Sequence, residues 1–106
     1  MKGPYPSGTW TSDSPVSQWD WERTRLVRGH KYKMVKSFVD AHGDRHSVGE
    51  EWLFITTMFS KFDDELILCV RTDAGDEWTI SLRWKPGLQE EIIENFSDYV
   101  SPVERR

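Results

Sequence analysis

Five side chains within eleven positions hold most of the chemistry in this sequence: Asp40, His42, Asp44, His46 and Glu50. Imidazoles and carboxylates together make zinc and hard-cation sites, and they also serve as general acids and bases. The spacing works against both uses. His42 and His46 are four apart, which puts two imidazoles on one face only in a helix. Gly43 between them, Gly49 after them and β-branched or aromatic flanks argue against a helix here. In a loop, zinc needs three or four converging ligands, and its structural sites usually include cysteine, which is not nearby. Asp40 and Asp44 lack the alternating carboxylates of a calcium loop. The preferred reading is a polar connection between strands. Asp40 and Asp44 then bond to turn amides, and Gly43 takes the left-handed conformation. The alternative is a metal-dependent enzyme built on the same five residues.

Cys69 is the remaining candidate, as a nucleophile paired with a histidine. It lies inside the apolar run Leu66-Ile67-Leu68-Cys69-Val70, with no Gly-rich elbow and no orienting partner in sequence. It reads as a buried thiol in a reducing compartment, and a cytoplasmic protein is expected. No serine sits in a nucleophile-elbow motif and there is no phosphate loop. From the sequence, no catalytic residue, no cofactor and no metal is expected.

These residues must be positioned by a small scaffold. A chain of 106 residues has room for one core, and its 13% aromatic content, with six tryptophans, lets it bury much area per residue. The start MKGPYPSG has no apolar run like a signal peptide, and no stretch is apolar for long enough to cross a membrane as a helix. The net charge of −4 is unevenly spread. Arg23 to Lys36 holds six basic and no acidic residues, whereas Ser37 to Glu104 holds fifteen acidic and five basic ones. A general nucleic-acid binder shows the opposite balance.

Residues 1–25 are expected to be a partly irregular arm carrying Trp10, Trp19 and Trp21, with a short helical turn from Val16 to Arg25. Residues 26–101 are expected to be one β-rich domain, and 102–106 a tail. Strand signals cover Lys31 to Ala41, Glu51 to Phe59, Leu66 to Thr72 and Glu77 to Trp84. In the last, Trp78, Ile80, Leu82 and Trp84 point one way and Glu77, Thr79, Ser81 and Arg83 the other. Asp73-Ala74-Gly75-Asp76 has the composition of a hairpin turn. After Pro86-Gly87, Leu88, Ile92, Phe96 and Val100, joined by Ile93 and Tyr99, recur at helical spacing until Pro102. The expected fold is mainly β with one C-terminal α-helix (α+β). It is a small curled four-stranded antiparallel meander, or an SH3-like partial barrel, closed by that helix.

Leu26, Gly29 and Tyr32, then Phe38, Asp40, Gly43, His46, Gly49-Glu50, Trp52, Phe54, Leu66 and Leu68 form a recurring pattern. It continues through Leu82, Trp84, Gln89, Ile92 and Tyr99. Over roughly residues 26–100 this resembles a bacterial family catalogued as domain of unknown function 3601. The resemblance implies a bacterial origin and a small β-rich domain, and it brings no catalytic residue.

The function expected from these features is a non-enzymatic protein-binding module. Its concrete form is an inhibitory or immunity-type partner that neutralises a basic bacterial toxin. The residues expected to meet that partner are Trp10, Trp19, Trp21, Asp63, Asp64, Glu65, Asp73 and Asp76, with the acidic loops projecting from nearby places. An alternative is a single-stranded nucleic-acid binder that uses Tyr32 as a stacking ring among the basic residues 23–36.

Overall fold

The structure, a computed structural model, describes residues 2–5, 24–60, 64–85, 87 and 89–103. Eight strands account for most of it: β1 (Lys2–Tyr5), β2 (Lys31–Met34), β3 (Phe38–Val39), β4 (Arg45–His46), β5 (Glu51–Ser60), β6 (Glu65–Arg71), β7 (Glu77–Arg83) and β8 (Val100–Pro102). One short helix, α1 (Glu90–Glu94), and a 3₁₀ turn at Phe96–Asp98 complete it. Six strands form an antiparallel sheet in the order β1-β7-β6-β5-β2-β8, and β3 and β4 form a separate two-stranded ribbon.

Alternation builds the sheet. Leu66, Leu68 and Val70 of β6 face the same way as Ile80 and Leu82 of β7, across the cross-strand pairs Leu66↔Leu82 and Leu68↔Ile80. A bulge between Phe54 and Thr56 keeps Phe54 opposite Val70 while adding a residue to β5. Trp52, Phe54, Tyr32 and Met34 close the core from one side, and Ile93, Phe96, Tyr99 and Val100 cover it. At about 25 cal/mol per Å², each of these large side chains contributes roughly 1.5–3 kcal/mol of burial.

The sheet differs from the sequence expectation in extent. It has six strands, not four, and it is open, with β1 and β8 as its two edges. It is therefore not a closed barrel. Ala41 N–H donates to Ser81 O at 2.7 Å, so the ribbon's turn touches β7, but no strand ladder joins them. Residues 2–5, expected to be irregular, pair with β7 through Lys2↔Thr79 and Tyr5↔Glu77. The segment KGPY has no alternation to announce a strand, and Pro4, which lacks an N–H, restricts it to an edge.

The C-terminal helix is shorter than its apolar spacing predicts. It ends at Asn95, whose side-chain amide donates to Glu91 O at 2.9 Å and so competes with the helix ladder. The 3₁₀ turn follows, and Val100 then pairs with Met34 as part of β8. Ile93, Phe96, Tyr99 and Val100 still reach the core, so a helical stripe and a helix-turn-strand bury nearly the same side chains. The Val16–Arg25 turn falls almost wholly outside the described residues.

Candidate functional site

Strands β3 and β4 are two residues long, and their pairing sets Phe38 directly opposite His46. The two rings stack with centroids 4.8 Å apart and planes 26° from parallel. The connection between these strands is an Asx turn. Asp40 Oδ1 accepts from His42 N–H at 2.9 Å and from Asp44 N–H at 3.1 Å. Gly43, at φ +85°, supplies the left-handed residue this turn needs. Asp40 N–H in turn donates to Asp44 O at 2.9 Å.

That turn leaves the second carboxylate oxygen of Asp40 facing inward, where it meets His46. Asp40 Oδ2 lies 2.8 Å from His46 Nε2, and Glu50 Oε2 lies 2.8 Å from His46 Nδ1. Glu50 is held in turn by Trp52 Nε1–H at 3.3 Å and by its own backbone, since Met34 N–H donates to Glu50 O at 2.8 Å. The side chain of Asp40 is fully buried, that of His46 is 2% exposed, and that of Glu50 is 29% exposed.

An imidazole with a carboxylate at each nitrogen satisfies both contacts only by donating at both, that is, as imidazolium. Burial opposes that charge on His46, but the hydrogen bonds and fields of Glu50 and Asp40 outweigh it and raise the His46 pKa above 6.5. For Asp40, burial likewise favours the neutral form. It is outweighed by the bond to His46 and by the turn amides, which hold its carboxyl below its ordinary value. The result is a buried carboxylate–imidazolium–carboxylate chain with every lone pair facing the ring in use. Metal ligation needs a free imidazole lone pair, and this ring has none. Among the described residues no cluster of three or more His, Cys, Asp or Glu side chains is arranged to hold a metal ion. His42 and Asp44 are exposed and contribute backbone amides to the turn.

The remaining candidates are scattered. Trp10, Trp19, Trp21 and Asp63 lie outside the described residues. Asp64 is exposed at φ +49°, and its carbonyl accepts from Trp84 N–H at 2.7 Å. Glu65 is half-buried at the start of β6. Asp73 pairs with Lys31 Nζ at 2.8 Å, and the Asp76 carbonyl accepts from Thr72 N–H at 2.9 Å in the β6–β7 turn. The two acidic loops do not project from nearby places. They lie at opposite ends of the seven-residue β6, about 20 Å apart at ~3.3 Å per residue. Tyr32 is not a stacking platform either. It is 4% exposed, and its Oη accepts from Val27 N–H at 2.8 Å.

Cys69 is fully buried and forms no disulfide, and it lies opposite Thr79 and Thr56 on neighbouring strands. One buried ion pair was not anticipated. Glu77, on the face opposite Trp78, Ile80 and Leu82, is fully buried, and its Oε2 accepts from Arg71 Nε at 3.0 Å and Nη2 at 2.7 Å. Thr79 and Ser81 beside it are buried as well, so this face of β7 is buried from Glu77 to Ser81, and Arg83 at its end is exposed. The Arg71↔Glu77 register across the DAGD turn is the signal that points to the pair.

A family model described as a domain of unknown function, number 3601, matches residues 12–105, and the chain belongs to that family. The match reaches back beyond residue 26, to include most of the N-terminal arm. Among solved structures, the chain is similar to an integron cassette protein from the mobile metagenome of Vibrio cholerae. That similarity has 27% identity and a TM-score of 0.72, and it covers 82% of this chain and 99% of the other. No curated protein matches the chain. No helix among the described residues is long and apolar enough to cross a membrane.

Proposed function

We propose that this member of the family is a non-enzymatic protein-binding module, of the inhibitory or immunity type, acting on a basic protein partner such as a bacterial toxin in the cytoplasm. The observation that carries the reading is the closed state of the Asp40–His46–Glu50 chain. Its imidazole has both nitrogens on carboxylates and is 2% exposed, so the most enzyme-like group of residues offers no free base to a substrate. Recognition is then left to the surface. The net charge of −4 favours a cationic partner and would steer its approach. Val35, Val39 and Val48, along the 35–48 segment, are 48%, 48% and 63% exposed and offer apolar contact area beside the charges. Asp64 and Asp73–Asp76, at opposite ends of β6, would contribute as two separate acidic edges, and the tryptophans of the arm would add anchors.

The test is affinity capture from the source bacterium with the full chain as bait. A specific protein should be retained at low salt and released as salt rises, and Val48→Asp together with Asp76→Lys should weaken its retention. If nothing protein-like is retained at low salt, or retention ignores both changes, the reading fails. Of the other readings, the single-strand one loses its stacking ring, because Tyr32 is buried.

A further inference from the structure

The described residues line a half-open pocket of about 300 Å³, away from the histidine cluster, between the 25–30 segment and the C-terminal turn. Leu26, Val27, Val100 and Pro102 give it apolar walls, and Arg25 and His30 bring cationic or proton-donating groups to it. Tyr32 also lines it. The Tyr32 hydroxyl accepts from Val27 N–H at 2.8 Å, which leaves its own proton to donate, and among the described residues it has no acceptor. The residue as a whole is 4% exposed. A buried hydroxyl proton left without an acceptor is costly and marks a place where an acceptor belongs. Arg25 adds a second peculiarity. It stands at φ +61°, a region that non-glycine residues rarely adopt and that concentrates where side chains are held for binding.

We propose that this cavity is a binding site for a small amphiphilic carboxylate. The carboxylate accepts from the Tyr32 hydroxyl and lies in the field of Arg25, with His30 beside it. A short hydrocarbon chain packs against Leu26, Val27, Val100 and Pro102. The pocket has room for a chain of about six to eight carbons. Among the described residues that line it, none is acidic. The site is independent of the protein-binding reading, and either can fail without the other.

Octanoate, octan-1-ol and octylamine are the probes, titrated into the ¹⁵N-labelled full chain and followed by amide chemical shifts. Octanoate should shift the amides of Val27, Ser97 and Val100 in a saturable way, octan-1-ol should bind about tenfold more weakly, and octylamine not at all. Tyr32→Phe should weaken octanoate about tenfold and leave octan-1-ol nearly unchanged, because only the charge-assisted hydrogen bond is lost. Val27→Trp fills the cavity from a side chain that is already 40% exposed, and should abolish binding of both while the rest of the spectrum stays folded. Octanoate shifts that are absent, that fall on other residues, or that survive Val27→Trp overturn the proposal. Equal affinity for octanoate and octan-1-ol overturns its carboxylate part.

Discussion

Two buried carboxylates, Asp40 and Glu77, solve the same problem with different partners. Each side chain is fully buried, and each is neutralised by a cation one hairpin away. Asp40 faces His46, itself 2% exposed, and it is further tied by two turn amides. Glu77 faces Arg71, whose side chain is 35% exposed and keeps much of its own hydration. The histidine chain is therefore sealed and titratable. The arginine pair is half-open. A buried charge is costly when its partner is removed, and the cost grows when the stranded group cannot reach water.

The comparison breaks first at His46. His46→Ala removes the imidazolium partner of Asp40 and a ring packed on Phe38, and it should destabilise the fold by about 3–5 kcal/mol. Glu77→Ala should cost less, about 2 kcal/mol, because Arg71 can turn to solvent. Urea unfolding of both variants under one buffer at pH 6 compares them directly. If Glu77→Ala proves the more damaging, the difference in sealing does not control the cost.

The same comparison has a pH signature. The folded pKa of His46 is raised above 6.5, so its contribution is complete below pH 6.5 and is lost as pH rises through the folded value. The folded pKa of Asp40 is lowered below 3.8, so its contribution is present above pH 3.8 and is lost as pH falls through the folded value. The cluster should thus stabilise most between about pH 4 and 6.5 and weaken on the alkaline side. Plotting unfolding free energy against pH for the wild type and His46→Gln tests this. The excess of wild type over variant should shrink above pH 6.5, whereas a constant excess would show that His46 does not stabilise as imidazolium.

How much of this was legible in the residues depends on what each interaction requires. The Asx turn was, because Asp40, Asp44 and Gly43 signal it locally and the side chain bonds amides two and four residues on. The sheet's central strands were, because Leu66-Leu68-Val70 and Trp78-Ile80-Leu82 alternate. The convergence of Asp40 and Glu50 on one ring was not. It depends on Phe38 pairing with His46 and on the 47–50 turn returning the chain, and no side-chain period encodes that register. The burial of Glu77 was not, for a related reason. Alternation assigns two faces to a strand but does not say that the second, carrying Thr79 and Ser81, is also buried. The helix was overextended because a stripe of Ile92, Phe96 and Val100 fits a helix and a turn followed by an edge strand alike. The KGPY strand has no period at all.

An exposed ion pair supplies the lower bound of the comparison. Lys31 Nζ and Asp73 Oδ1 are 2.8 Å apart, as close as the pairs of the histidine chain, yet the Asp73 side chain is 76% exposed. Water solvates both charges before and after the contact forms, and holding a lysine in one geometry costs side-chain entropy. Asp73→Asn should therefore change stability by no more than about 0.5 kcal/mol, and any loss should vanish in high salt. Thermal unfolding at low and high ionic strength measures it. A loss as large as that of Glu77→Ala would mean that the contact distance, and not the desolvation of the partners, sets the strength of these pairs.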